Sequence, residues 1–343
     1  MSTPHSFNST PATLSPLALA IDVGGTKVEA ALIDDAGAVL AGSRHRAPTG
    51  SGSSREVLAD AVRRVIDQTM AIAPVGRAVV GAGIGSAGPI SIPDGTVSPL
   101  NLPSWRNYPL HELVAHHSGL GSERTVLRLD GLCILLAEYW LGALRGYRNA
   151  MGMVVSTGIG GGLILEGRLI GGRSGNAGHI GQLQVRSHSG AGRDLSSTLE
   201  GMASGPRIVD WARQHGWPGS TGEELAADYR EGSPLAIAAV QRCARAIGTA
   251  IASASALLDL EAVAIGGGFA RITPDLFRMI QLVVEDTAAL DTIRGIDVVP
   301  AALADEGPLI GAAGLVHRSD LLPNHSASAS LNEIASSLAR ESI

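Results

Sequence analysis

Asp22, Gly24, Gly25, Thr26 and Lys27 bring a carboxylate, two backbones without side chains, a hydroxyl and an ammonium into one short stretch. Such a set suits a phosphate. Glycine backbone can approach an anion closely and aim its N–H groups at it. Lys27 adds a point charge, and Asp22 can hold Mg²⁺ through water. A Gly-Gly hairpin is also an ordinary structural turn, and this stretch alone does not separate the two. A second turn of the same kind does: Ser156, Thr157, Gly158, Gly160, Gly161 and Gly162. Apolar runs flank both turns, at residues 17–21 and 28–33 for the first and 152–155 and 163–167 for the second. Two strand–turn–strand units about one small domain apart imply like-folded halves gripping one nucleotide.

The elements that must carry these turns follow from hydrophobic period. Residues 17–46 alternate around two turns and predict a three-stranded meander, and residues 150–170 predict a second. Helical spacing over 55–73 (Val57, Leu58, Ala61, Val65, Ile66) precedes a buried strand over 78–84. Residues 88–109 carry five prolines and are expected to be loop. A short strand over 126–129 leads into an apolar helix over 131–144. Further helices are expected over 202–214, 236–257 and 273–284, strands over 263–265 and 296–299, and a late helix from 309 to 315. Meander, helix, strand, helix, strand, repeated once, is an α/β pattern with mixed sheets.

Composition narrows the function. At 343 residues the chain can hold two domains with real cores. Aromatics are only 3%, which argues against base-stacking platforms, and a net charge of −6 without a basic block argues against nucleic acid or anionic membranes. No run reaches the roughly 18 apolar residues of a membrane span. Residues 1–16 are rich in Ser, Thr and Pro, have no signal-peptide pattern, and are expected to be disordered. Residues 320–343 are polar with a weak helical stripe (Leu331, Ile334, Leu338) and no assigned role. Cys133 and Cys243 lie in apolar segments and read as buried thiols rather than a disulfide. A cytoplasmic protein is the expectation.

The order of these pieces resembles the sugar kinase, actin and heat-shock ATPase superfamily, and within it the ROK family (repressor, open reading frame, kinase), over about residues 17–315. The resemblance implies two ribonuclease-H-like domains with a cleft between them. The first would run over residues 17–129, with the late helix from about 309 returning to it, and the second over 130–299. Asp22, Gly24, Gly25, Thr26 and Lys27 match the first phosphate motif; Thr157, Gly158, Gly160 and Gly161 match the second. Gly266, Gly267 and Gly268 match the adenosine motif, while Gly88 and Asn101 fall in loops similar to the family's sugar-side loops. The implied cofactors are ATP and Mg²⁺, with no metal held directly by the protein. The implied partners are ATP and a small polyol, and a homodimer is left open.

Asp130 ends the strand over 126–129 and stands where ROK kinases keep their catalytic aspartate. Asp at a helix start also caps backbone N–H groups, and the two roles can coexist. Phosphoryl transfer asks for alignment, neutralised charge and a base near the attacking hydroxyl.

The chain departs from the family on the acceptor side. Leu129 replaces the Asn that precedes the catalytic Asp, and His179-Ile180-Gly181-Gln182 replaces Glu-Ile-Gly-His. In the family that Glu contacts ring hydroxyls and that His binds zinc. Ala191, Arg193 and Thr198 align with the family's cysteines, so no structural zinc is expected, and His179 with His188 does not make a metal site. Glu200 and Asn101 are retained. The implied acceptor set is Gly88, Asn101, Leu129, His179 and Glu200, with Leu129 as an apolar wall and His179 in the space of the missing glutamate.

The function expected is transfer of the γ-phosphate of ATP to the exocyclic primary hydroxyl of a six-membered polyol ring. A seven-carbon cyclitol is favoured over glucose or N-acetylmannosamine. A repressor is disfavoured because only 16 residues precede Leu17, too few for a helix-turn-helix. A non-catalytic sugar-binding protein is the other class, and retained Asp22, Lys27 and Asp130 weigh against it.

Overall fold

The protein is described by a computed structural model over residues 15–185 and 195–322. Strand β1 (Leu17–Val23) is buried at every residue except Asp22. A strand buried on both faces belongs mid-sheet. It pairs antiparallel with β2 (Lys27–Asp34), which pairs with β3 (His45–Pro48). Helix α1 (Arg55–Met70) starts where Ser54 accepts a hydrogen bond from Val57 N–H, and it packs its apolar face on β2 and β3. β4 (Val79–Ser86) returns parallel to β1. A hairpin of β5 (Ile90–Ser91) and β6 (Thr96–Val97) and helix α2 (Leu110–His117) lead to β7 (Thr125–Leu129), giving the order β3-β2-β1-β4-β7.

The second half repeats this plan. Helix α3 (Asp130–Trp140) precedes β8 (Ala150–Val155), β9 (Ile159–Leu165) and β10 (Arg168–Ile170). Helices α4 (Leu199–Ala203), α5 (Gly205–Gln214), α6 (Gly222–Arg230) and α7 (Pro234–Leu258) follow. Then come β11 (Ala262–Gly266), α8 (Asp275–Thr287), α9 (Asp291–Arg294), β12 (Asp297–Pro300) and α10 (Gly307–His317). The sheet order β10-β9-β8-β11-β12 matches the first position by position. Each sheet is ribonuclease-H-like, and the expected two-domain α/β fold is the one observed.

Two helices lie between the sheets. α10 covers the first sheet, α3 covers β8 and β9, and α3 packs on α10. Small residues make this stack close. A Cβ on Gly83 would overlap the carbonyl of Ala312, and one on Gly311 would overlap that of Cys133. On the other side, a Cβ on Gly152 would come 2.7 Å from Leu135 Cβ. Buried Glu138, near the end of α3, accepts from the N–H groups of Ala143, Ala302 and Leu303 at 2.8, 3.0 and 2.9 Å. Its burial is thus compensated, and α3 is tied to the segment that enters α10.

Several boundaries differ from the sequence expectation. The single helix expected over 202–214 is two, because Ser204 is extended (ψ 151°) and Pro206 then restarts the helix. The proline-rich stretch holds a short hairpin, and α2 and α6 are additional helices. α7 is long and apolar enough to cross a membrane, although Gln241, Arg242 and Arg245 interrupt its apolar run; it packs against α4, α5, α6 and α8. Residues 1–14 and the stripe Leu331, Ile334 and Leu338 lie outside the described residues.

Candidate active site

Both glycine turns open onto one cavity of about 390 Å³. The β1–β2 turn contributes Asp22, Gly24, Gly25, Thr26 and Lys27; the β8–β9 turn contributes Thr157, Gly158 and Gly160. Asp130, at the first turn of α3, lies between them, and Gly88, Asn101, His179 and Glu200 complete the wall. A neighbouring cavity of about 460 Å³ shares Ser156 and Thr157 and is lined by Gly268, Phe269, Arg271 and Thr221 among others.

Local hydrogen bonds fix the first turn. Gly24 N–H donates to Lys27 O at 2.9 Å, and Thr49 Oγ1 donates to Gly24 O at 2.9 Å. Gly25 presses directly on the amide of Asn101, and a Cβ there would overlap it. Asp130 Oδ1 accepts from Gly131 N–H at 2.7 Å and lies 3.9 Å from where a Cβ on Gly160 would be. Asp130 therefore starts its helix and faces the second turn at once.

The site is short of positive charge. Burial, then the charges of Asp130 and Glu29, push the Asp22 carboxyl up to about 7, against the pull of Lys27 and Arg44. Burial pushes Asp130 up to about 6, opposed by the Gly131 hydrogen bond. Lys27, expected on a phosphate, lines the cavity but bonds its ammonium to Glu29, at 2.5 Å. Arg44 also reaches Glu29, at 3.3 Å. Burial raises Glu29, but the hydrogen bonds and charges of these two cations together outweigh it and hold the carboxyl low. Two carboxyls that resist ionisation in one cavity with two glycine turns fit a magnesium–nucleotide, which brings the missing cation.

Among the residues expected to meet an acceptor, His179 Cε1 lies 3.2 Å from the place a Gly88 Cβ would take. Burial lowers its imidazole from the ordinary histidine value, with Glu200 acting in the opposite sense, so the site favours the neutral ring. Glu200 Oε2 accepts from Ile159 N–H at 2.8 Å, which leaves Oε1 for a ligand. Leu129 does not form the expected wall. It is 2% exposed, absent from the cavity lining, and its Cδ2 sits 2.5 Å from where a Gly88 Cβ would be. A buried leucine supports Gly88 from below because the end of β7 turns inward into α3.

Three expected phosphate or adenosine glycines are also placed elsewhere. Gly161 is buried within β9, where a Cβ would come 2.8 Å from Gly152 O, so it serves strand packing. Gly267, at φ +99°, turns the chain after β11 against the backbone of Val155. With Gly266 it lines a separate pocket of about 300 Å³; only Gly268 of the three faces the larger cavity. His188, Ala191, Arg193 and Asp194, where the zinc expectation is decided, lie outside the described residues. Sequence reasoning missed Asn176, whose only local signal is a polar residue in a Gly-rich stretch.

Two ribonuclease-H-like domains with glycine turns converging on a cleft define the superfamily of two-domain phosphotransferases and ATPases. Residues 18–319 match the ROK family profile, and the chain belongs to that family. It is 29% identical over 336 residues to a glucokinase of Streptomyces coelicolor, covering 89% of this chain and 98% of that one. It is 32% identical over 307 residues to an N-acetylmannosamine kinase of Yersinia pseudotuberculosis, covering 86% and 96%. A ROK family glucokinase of Streptomyces griseus, solved with glucose and AMPPNP, superposes with a TM-score of 0.75 at 27% identity, covering 88% and 99%.

Proposed function

We propose that the protein is an ATP-dependent kinase that phosphorylates the exocyclic primary hydroxyl of a six-membered polyol ring. The observation that carries this reading is the place of Asp130, a carboxylate where two glycine turns meet beside side chains suited to ring hydroxyls. The chain is divided at 129/130, with α10 counted in the first domain, so the cleft lies between domains. Backbone N–H groups of Gly25, Thr26, Gly158 and Gly160 hold phosphates, while Gly24 N–H stays on Lys27 O and shapes the turn; Asp22 holds Mg²⁺ through water. Gly268 and Phe269 receive the adenosine in the neighbouring cavity. ATP with Mg²⁺ supplies the phosphoryl group and neutralises the carboxylate pair. Asp130 accepts the proton of the attacking hydroxyl, a contribution of roughly 10²–10⁴-fold. Free, buried Cys133 and Cys243 suit a cytoplasmic setting.

Glu200, Asn101 and His179 bind the acceptor ring. The named relatives, a glucokinase and an N-acetylmannosamine kinase, support a hexose-sized acceptor. His179 favours an altered ring such as a seven-carbon cyclitol. Neutral imidazole offers one donor and one acceptor where an ionised glutamate only accepts. With Leu129 beneath Gly88, this preference rests on His179. The second reading, a glucokinase or N-acetylmannosamine kinase, is favoured by the relatives.

An ATP-coupled turnover screen of glucose, N-acetylmannosamine and cyclitols tests both levels. A cyclitol should show the highest kcat/KM. Glucose ranking first would remove the acceptor assignment and leave the kinase. No turnover of any polyol would point to a non-catalytic sugar-binding protein.

A further inference from the structure

One side chain clamps the loop before His179 to the hairpin β5–β6. Asn176 Oδ1 accepts from Ile90 N–H at 2.9 Å, and Asn176 Nδ2 donates to Ile90 O at 2.7 Å. Nδ2 also reaches Ser174 Oγ at 3.0 Å, and Ile92 N–H donates to Ser174 O at 3.3 Å. Ile90 pairs with Val97 on its other side, so the Asn176 side chain covers the open edge of the hairpin. Gly175 makes the approach feasible: at φ +95°, a Cβ would come 2.6 Å from both Cδ1 and Cγ1 of Ile92. These bonds join residues 86 apart in sequence, across the cleft.

Both arms of the clamp end at the acceptor. Gly88 is two residues before Ile90, and His179 is three residues after Asn176. Gly88 and His179 are neighbours in the cavity wall. Asn176 is not part of that wall; its amide is taken up by Ile90 and Ser174.

We propose that Asn176 is a positioning residue, a latch between the two walls of the acceptor end that sets His179 against Gly88. The proposal rests on the kinase reading. In that reading, breaking the latch weakens acceptor binding while the donor end, built on the β1–β2 and β8–β9 turns, is untouched.

The test uses the full-length protein with Asn176→Ala and Asn176→Asp. Backbone hydrogen exchange at Ile90 and Ile92 is measured without substrate, and steady-state kinetics are measured with ATP and the polyol the wild type uses best. In Asn176→Ala, exchange at Ile90 should quicken at least tenfold and the acceptor KM should rise about tenfold, with the ATP KM within about twofold. Asn176→Asp keeps an acceptor for Ile90 N–H but turns an acceptor-only oxygen toward Ile90 O, so exchange and the acceptor KM should rise at least as much as in the alanine variant; it gives a second readout if that variant does not fold. Unchanged exchange, or an ATP KM rising as much as the acceptor KM, overturns the latch. If the wild type turns over no polyol, the kinase reading fails, while exchange at Ile90 still decides the latch separately.

Discussion

The two ends of the cleft are built differently. The proposed donor end is backbone: two turns, each closed by hydrogen bonds within or near its own hairpin, such as Gly24 N–H to Lys27 O and Ser156 N–H to Gly158 O. The proposed acceptor end is side chains gathered from distant stretches, with Asn101 pressed on Gly25, His179 beside Gly88, and Glu200 bonded to Ile159 N–H. A donor site made by the fold's own turns comes with the fold. An acceptor site made by loop side chains can be altered without disturbing either sheet, and His179, expected in place of a glutamate, stands there. Asp130 is the hinge of the comparison, because it belongs to both ends.

The strongest test of that division is Asp130→Asn. It should lower kcat by about 10²–10⁴-fold while leaving both KM values within about threefold. Activity within tenfold of wild type in a steady-state assay would take Asp130 out of its role. The wild-type kcat/KM should also fall about tenfold per pH unit below about 6, the value to which burial lifts Asp130 in the free protein.

The same carboxyl gives a stability test with a definite sign. Its folded value lies above the ordinary 3.8, so the native state binds the proton more tightly. Stability from this group is therefore full below about 4 and is lost as pH rises through about 6. Asp130→Asn removes that loss, and chemical denaturation at pH 8 should show the variant more stable by on the order of 1–3 kcal/mol. A less stable variant at pH 8 would show that burial does not dominate there.

Gly25→Ala probes where the ends touch. The new methyl displaces Asn101, so the KM values for ATP and for acceptor should both rise, by about tenfold. A change in one alone would mean the two ends are uncoupled at this contact. His179→Glu should act on the acceptor side only, shifting kcat/KM toward glucose by about 10-fold with the ATP KM unchanged. The smallest effect is expected from Lys27→Ala. With the ammonium already held by Glu29, the ATP KM should rise only about three- to tenfold; a larger loss would show that Lys27 leaves Glu29 for phosphate.

The donor end was legible because its cause is local. Asp22 at a strand end, followed by Gly24 and Gly25, states its own geometry, and apolar period locates β1, β2, β8 and β9 around the turns. The late helix α10 was legible for a similar reason, a run of small and apolar residues. Leu129 misled because one residue at a strand-to-helix junction can face either way, and burial under Gly88 decided it. Gly161 and Gly267 misled because a glycine that admits a neighbouring backbone looks, in sequence, like one that admits a phosphate. Asn176 was invisible because its partner, Ile90, is named by tertiary contact alone.

The place of α10 has a consequence for how the chain is made. The layer beneath the first sheet comes from residues 307–317, whereas the last strand of that sheet ends at Leu129. The 188 residues from 130 to the end of α10 at 317 take roughly 10–40 s to synthesise at about 5–20 residues per second. Throughout that interval β1 and β4 stand on the ribosome with one apolar face uncovered, and the second sheet forms before the first is finished. The amino-terminal half is thus the last to be completed. A nascent chain stopped short of Gly307 is an open sheet awaiting its cover, a species suited to chaperones and vulnerable to aggregation.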